Sequence, residues 1–587
     1  MAGTEKTLQI KFRNLFIGKT PLRKRITEAL IGSLALSFII FFFGPIDLAY
    51  LSRSYINCTI LDLIPFCCIF WLITFSVLFL PSALVGGKIH SFLVSLYTAF
   101  ALGFYIQGNF LNVDLGVLDG STVDWQNYGD SAMINYAIWF VILLIPFLIH
   151  YFSRKIWRKF VFISCLALIV MQGSSLAVKI GEQWETQQKT QSGDSTAYEL
   201  TMADQYHFSP KENIIVFLLD ATSMDEIAKT LEEYPDMLEP LRDFINFDNM
   251  NTRYLGTFPA LCFLLTNTDY DFEHESYNEF FYNAWHSDTA ERFYRELRES
   301  GWKTNLYLDT RHAAGNAINM VGKIANVLPI PRHSFSIDHR AFRKLIKLSF
   351  YRYLPLGMKA PYRIYTDDIA SLKKISDDFL PFDSTASAER FWTGGLQVSG
   401  EDNLLTVYHY YGAHPPYELN ADGRHKTESS RQIDQIAGYF HTIAEIMEYM
   451  KNLGIYDTST IIISADHGAF QGSHFNPQSI FYIKMPGQRG TELKTSHGMV
   501  SQENFLPTLA KAAGLNASEY GKTVFDVNEE ERSERCMYWR ANDKEFPNPK
   551  MRFNVMRKYC YTGDAETLIE TIGDRDYSTI SLVDSFY

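Results

Sequence analysis

The sequence predicts a five-helix transmembrane bundle followed by an α/β domain with a mainly parallel sheet. Three observations carry this. Five apolar stretches crowd the first 180 residues. Beyond them, the strand-like runs NIIVFLL, TNLYL, LLTVYHY, STIIISA and SIFYIKM are separated by polar and helix-like segments. Two of these runs end on acidic residues, Asp220 and Asp466, the second followed directly by His467.

The apolar stretches are Ala29–Ile46, Leu63–Leu80, Ile89–Ile106, Met133–Phe152 and Phe160–Val178. Each approaches the roughly 20 residues that a helix needs to cross a bilayer core. The first is not a cleavable leader, because no small-residue cleavage site follows it and four more such stretches do. Buried core helices seldom come five in a row without polar faces. Lys6, Lys11, Arg13, Lys19, Arg23, Lys24 and Arg25 precede the first stretch, and Arg154, Lys155, Arg158 and Lys159 separate the last two. The loop after the third carries Asp114, Asp119, Asp124 and Asp130 and no Lys or Arg. Cytoplasmic loops carry the excess of basic residues, so a multi-pass protein of the cell (plasma or inner) membrane is expected, with its N-terminus cytoplasmic and everything after Val178 outside. The expected divisions are a membrane domain over 1–178, a polar juxtamembrane linker over 179–212 and an extracytoplasmic domain over 213–587.

Cys67, Cys68 and Cys165 lie in the spans, Cys58 just before the second, and Cys262 in an apolar run. That leaves Cys536 and Cys560 as the outside pair, and the sequence leaves both a disulfide and two free thiols open. A formal charge of −12, with basic clusters only beside the spans, argues against a nucleic-acid partner. In the C-terminal part, IDQIAGYFHTIAEIMEYMKNLG has apolar residues at helical spacing and ends on Gly454, a suitable C-cap. Strand, helix and strand in succession imply parallel pairing with helices on both faces.

Strand tips of such a sheet converge on one crevice. Asp220, Asp466 and His467 would meet there, and hard carboxylate oxygens with one imidazole suit Zn²⁺ or Mn²⁺ better than Ca²⁺. Gly256-Thr257-Phe258-Pro259 then offers a hydroxyl at a helix start, where backbone amides favour an anionic phosphoryl group. Taken alone, Thr257 reads more readily as an N-cap than as a nucleophile. Beside a metal it reads as a nucleophile.

These segments occur in the order Asp220, Gly256-Thr257-Phe258-Pro259, His409-x-x-Gly412-x-His414-x-Pro416-Tyr417, Ser464-x-Asp466-His467-Gly468 and Gly472-x-His474. The series resembles the alkaline phosphatase/sulfatase superfamily. Thr257-Phe258-Pro259 is similar to the nucleophile segment of nucleotide pyrophosphatase/phosphodiesterases. HYYGAHPPY and the five spans resemble membrane-bound phosphoethanolamine transferases and lipoteichoic acid synthases. The resemblance implies a sulfatase-like extracytoplasmic catalytic domain with a metal on Asp220, Thr257, Asp466 and His467. It implies His414 as the residue that contacts the phosphoryl group or protonates the leaving group. His409, His474 and His497 are expected substrate contacts; His409 also reads as a packed strand residue and His497 as a loop residue or a further ligand.

Two departures refine this. The formylglycine pattern of sulfatases is missing: Thr257-Phe258-Pro259-Ala260-Leu261 carries no arginine, and no proline stands two residues after Cys262. Asp434 and His441 do not fall at the spacing of a second metal's ligands, so one metal is expected. The implied reaction is a two-step transfer of a phospholipid head group (phosphoglycerol or phosphoethanolamine type). It passes through a phospho-threonine to a surface glycan or glycolipid. A phosphodiesterase or sulfatase-like hydrolase, and a non-enzymatic sensor or lipid-transport protein, are the alternatives.

Overall fold

In this computed structural model the chain divides into two compact units, 1–196 with 332–375, and 197–331 with 376–587. The structure describes residues 20–51, 60–113, 125–191, 198–330, 339–363, 382–540 and 556–562, with short gaps at 272–273, 427–429, 469, 472–473, 476, 531 and 533.

Among its described residues the first unit contains five helices long and apolar enough to cross a membrane. They are α1 (Leu22–Phe38, continuing through a π-helical turn to Leu51), α2 (Ile60–Leu84), α3 (Gly87–Ile106), α4 (Gly129–Phe152) and α5 (Arg154–Gln191). Each overlaps one of the expected stretches. On α2, Ile69, Leu72, Ile73 and Val77 are exposed, as suits a helix whose outer face meets lipid rather than water. Helix α5 continues to Gln191, so the start of the stretch read as a linker is helical.

The division within the chain differs from the simple one read from hydropathy. Residues 332–375 belong to the first unit, although they interrupt the second. Their helix, His339–Tyr353, buries Phe342, Leu345 and Leu348 among Phe38, Phe43, Ile46 and Leu63 of the bundle. Tyr353 is fully buried and fills the space over two glycines: a Cβ on Gly108 would stand 2.4 Å from its ring, and one on Gly44 3.0 Å. The insert carries the pattern of an ordinary amphipathic surface helix, and hydropathy alone does not say which surface it covers.

The second unit is built on a seven-stranded sheet. Its strands are β1 (Asn213–Leu219), β2 (Ile245–Phe247), β3 (Trp302–Tyr307), β4 (Asn403–Tyr410), β5 (Ser459–Ser464), β6 (Phe481–Lys484) and β7 (Lys494–Ser496). The order is β7-β2-β6-β5-β1-β4-β3. β3, β4, β1 and β5 run parallel, and β6 is antiparallel to both of its neighbours. Every residue of β1 is buried. Ile214, Val216 and Leu218 enter one core cluster and Ile215, Phe217 and Leu219 the other, so both faces are covered, as parallel strands require. Helix α6 (Thr257–Thr266) packs Leu261, Leu264 and Leu265 into the first cluster. Helix α7 (Gln432–Asn452) packs Ile436, Tyr439, Ile443 and Met447 into the second. Gly454, at φ +74°, follows α7 as expected. Cys536 and Cys560 form a disulfide between directly opposed residues of a hairpin, Glu534–Arg540 with Met556–Thr562. Cys67, Cys68, Cys165 and Cys262 are free, and Cys58 lies outside the described residues.

Candidate active site

The central strands β1, β4 and β5 end together, and register decides what meets there. Leu218 is opposite both His409 on β4 and Ser464 on β5, so Asp220 and Asp466, each two residues further on, arrive at one level, with His409 two residues below them on the neighbouring strand. Backbone bonds lock the tips: Asp220 N–H donates to Tyr410 O at 2.8 Å, and Ala413 N–H to Asp220 O at 2.9 Å. Gly412 at φ +51° is required for this approach, because a Cβ there would stand 2.5 Å from Thr222 Oγ1 and 2.7 Å from Asp220 O. Ala221, next to Asp220, also adopts a positive φ of 53°. Its N–H donates to Asp466 Oδ1 at 3.2 Å, so the unfavourable backbone is spent on joining two strand tips.

The side chains form one buried group. Asp220, Asp466 and His467 each offer an atom within 4.8 Å of the others. His467 Nε2 stands 3.3 Å from Asp220 Oδ1 and 3.8 Å from Asp466 Oδ2. His467 Nδ1 donates to Gly468 O at 2.8 Å, which fixes the ring and leaves Nε2 facing the carboxylates. Thr257 Oγ1 donates to Asp220 Oδ2 at 3.3 Å and lies 3.5 Å from His467 Nε2. Phe258 has extended φ/ψ of −90° and 129°, which separates Thr257 from the regular helix. The hydroxyl points at the acidic cluster, so the capping alternative does not describe it. Phe258 itself is clamped edge-on by Tyr277 and Phe281, at 4.6 and 4.9 Å between ring centres.

His409 belongs to this cluster. It is 3% exposed, and its Nε2 is 3.4 Å from Asp466 Oδ2 and 3.9 Å from Asp220 Oδ2. Gln502 Nε2 braces the same tip by donating to Asp466 O at 2.5 Å. Nothing in the sequence marks Gln502. His312, on the short helix Thr310–Ala314 after β3, is coupled electrostatically to His409 and Asp220. The run DTRH after TNLYL was the available signal for it.

His414 stands in the loop beyond β4, with Nδ1 against Pro415 O. Gln435 donates to its carbonyl at 3.0 Å. His497 is elsewhere: it follows the edge strand β7, is exposed, and pairs through Nδ1 with Asp248 Oδ2 at 2.8 Å. His474 pairs through its backbone with Gln471; its side chain lies outside the described residues. Asp434 is bound to Arg431 and Tyr234, at 2.5 and 2.6 Å, and His441 stacks on Trp392, so neither joins the cluster.

Electrostatics and unsatisfied atoms together test whether the group fits a cation. Burial opposes the charge on His467, yet Asp466 and Asp220 outweigh it and push the imidazole up to about 9. Burial likewise opposes ionisation of Asp466, and His467 and His409 hold it below the usual carboxylate range all the same. Asp220 Oδ1, Asp466 Oδ2 and His409 Nε2 are buried atoms without a hydrogen bond. Buried polar atoms are nearly always paired. Three bare atoms in one crevice, from carboxylates and imidazole, make the donor set of a divalent cation.

No protein-family profile matches the chain, and no curated protein matches it. Solved structures similar to it include the integral membrane protein lipooligosaccharide phosphoethanolamine transferase A (EptA) from Neisseria meningitidis. That match is 11% identical at a TM-score of 0.32, covering 84% of this chain and 97% of that one. The lipoteichoic acid synthase LtaP from Listeria monocytogenes is 11% identical at a TM-score of 0.31, with 54% and 76% covered. A protein in the alkaline phosphatase superfamily from Vibrio parahaemolyticus is 11% identical at a TM-score of 0.35, with 59% and 76% covered.

Proposed function

We propose that this protein is a membrane-bound, metal-dependent transferase. It moves a phospholipid head group of phosphoglycerol or phosphoethanolamine type, through a phospho-threonine at Thr257, to a surface glycan or glycolipid. The observation that carries this reading is the Thr257 hydroxyl held between Asp220 and His467 in a crevice of bare carboxylate and imidazole atoms. Asp220, Asp466, His467 and Thr257 are the residues that would hold Mn²⁺ or Zn²⁺, which when bound supplies the positive charge that acidifies a hydroxyl and offsets phosphoryl charge. Both faces of the sheet are covered, so the cluster at the strand tips would meet a phosphodiester from the tip side.

In the first step Thr257 passes its proton to Asp220, whose Oδ2 its hydroxyl already faces at 3.3 Å, its oxygen forms a bond to phosphorus and the bond to the lipid alcohol breaks. In the second an acceptor hydroxyl displaces Thr257, which takes that proton back. His414 Nδ1 is engaged by Pro415 O, so Nε2 is the nitrogen that gives a proton to the leaving alcohol and takes one from the acceptor. A bundle of five spans suits a lipid donor, and the Lys/Arg asymmetry supports an extracytoplasmic second unit.

The test is to feed a head-group-labelled phospholipid to wild type and Thr257→Ala and to follow the label. Thr257→Ala should fold and still hold metal through Asp220, Asp466 and His467, yet lose turnover by roughly three or more orders of magnitude. Thr257→Ser, which keeps a hydroxyl, should retain part of it. Label on Thr257 that then passes to a glycan or glycolipid supports transfer. Label found only in a small water-soluble product makes the protein a hydrolase, and undiminished turnover by Thr257→Ala removes the mechanism.

A further inference from the structure

A second charged site lies in the membrane unit. A cavity of about 380 Å³ opens between the start of α1 and α5, lined by Arg23, Lys24, Thr27, Glu28 and Arg158 at its polar end and by Ile31, Val161 and Phe162 beyond. Its one carboxylate is already engaged on both oxygens. Glu28 Oε1 forms an ion pair with Arg158, 2.7 Å from its Nε, and Oε2 faces His90 Nε2 at 3.0 Å. His90 is held in turn through Nδ1, 2.7 Å from Ser82 O. Glu28 is 8% exposed and His90 1%, so this is a built arrangement rather than a surface pair. Among the described residues, Arg23 and Lys24 have no carboxylate within ion-pair distance.

Position sharpens the imbalance. Arg23 and Lys24 occupy the first turn of α1, which contains no acidic residue and whose N-cap, Pro21, gives no side-chain hydrogen bond. A helix N-terminus carries partial positive charge and unpaired N–H groups, and cations there are disfavoured. Two cations without a carboxylate partner among the described residues and the N-terminus of α1 thus converge on a cavity whose other wall is apolar. A soluble anion needs no apolar wall, and an acyl chain alone needs no cations.

We propose that this cavity binds the phosphate head group of an anionic membrane lipid, with the first part of an acyl chain against Ile31, Val161 and Phe162. It lies at the N-terminal ends of α1 and α5, and the proposal is independent of the reaction at Thr257. Arg23 and Lys24 supply the charge recognition; Arg158 stays committed to Glu28.

The experiment counts lipids retained by the full-length protein in native mass spectrometry, with added phosphatidylglycerol or phosphatidylcholine. Wild type should hold one phosphatidylglycerol roughly tenfold or more tightly than phosphatidylcholine, as expected for two cations at a head group. Arg23→Gln with Lys24→Gln should abolish the preference; both side chains are exposed, so the fold is not at stake. Ile31→Trp, which fills the cavity without changing charge, should also lose the lipid. Lys155→Gln with Lys159→Gln removes equal charge from exposed positions that do not line the cavity, and should change nothing. Equal loss in both charge pairs would mean diffuse attraction to the bilayer and overturn the proposal. So would binding that survives Ile31→Trp, or displacement of the lipid by millimolar inorganic phosphate, which would make the site one for a free anion.

Discussion

Two buried carboxylates, one in each unit, are handled in opposite ways. Asp47, 2% exposed at the end of the first span, is saturated: Lys179 of α5 engages Oδ1 and Arg352 of the insert helix engages Oδ2. Asp466, fully buried at the tip of β5, has Oδ1 satisfied by two backbone N–H groups, from His467 and Ala221, while Oδ2 has no hydrogen bond. Asp220 Oδ1 beside it is equally bare. A buried charge is tolerated when it is paired and hydrogen-bonded. Asp47 meets that condition with protein groups alone, and holds the insert to the bundle. The Asp220–Asp466 group has His409 and His467 nearby but keeps unpaired oxygens, so under the proposed function the same residue type is a clasp in one unit and a cation site in the other.

The sharpest way to break this comparison is to remove the bare carboxylate. Asp466→Asn and His467→Ala should each lower the metal content of the purified protein and reduce turnover by about a thousandfold or more. Chelation should abolish wild-type activity and lower its melting temperature, because a ligand that binds only the folded state stabilises it. In Asp466→Asn the chelator should leave the melting temperature unchanged. Full activity in excess chelator, or unaltered metal content in both variants, would show that the crevice is a structural cluster like that of Asp47.

Removing the saturated carboxylate should do the reverse. Asp47→Asn leaves Lys179 and Arg352 side by side without their counter-charge, and loss of one partner of a buried pair costs about 3–5 kcal/mol. The expected result is a lower melting temperature with metal content per folded molecule unchanged. If stability is untouched, Asp47 is not the clasp that fixes the insert. If metal is lost instead, the two clusters are not separable as drawn.

Much of this contrast was legible in the sequence, and the illegible part has definite causes. The five spans announce themselves by length and hydropathy, and Asp220, Thr257, Asp466 and His467 by strand tips and glycine neighbours. His409 was visible as a residue but its place was not, since a histidine within a buried strand carries no sign of which face it takes. The register of β4 against β1 settles that, by setting His409 opposite Leu218. His497 was drawn in by its TSHG context, yet it stands just after an edge strand and pairs with Asp248. The insert helix was missed because its apolar stripe states that it packs, not on what. Asp47 lay unremarked inside an apolar run, and its partners come from residues 132 and 305 positions away.

A third buried charge gives the smallest effect and the finest test. Lys484 on β6 is fully buried and donates to the carbonyls of Tyr456 and Ser459 at 2.5 and 2.9 Å. It is hydrogen-bonded, like Asp47, but no carboxylate touches it. Burial therefore dominates and pulls its pKa down to about 8, against the partial pull of Asp457 and Asp243 the other way. The sign follows from proton counting. Between about pH 8 and 10 the folded protein has released a proton that the unfolded chain still holds, so stability rises with pH by about 2 kcal/mol. Above about pH 10 the buried phenols of Tyr408 and Tyr410, held above their ordinary range, reverse the slope. Lys484→Met keeps the unbranched shape and removes the charge, so it should flatten the rise. The measurement is denaturant unfolding of the full chain at fixed metal concentration from pH 7 to 10, read as wild type minus variant. That subtraction cancels every other titrating group, His467 included. A difference curve without slope between pH 8 and 10 would show that hydrogen bonding by carbonyls suffices for a buried ammonium. The distinction between saturated and bare groups would then need only hydrogen-bond counting, without charge.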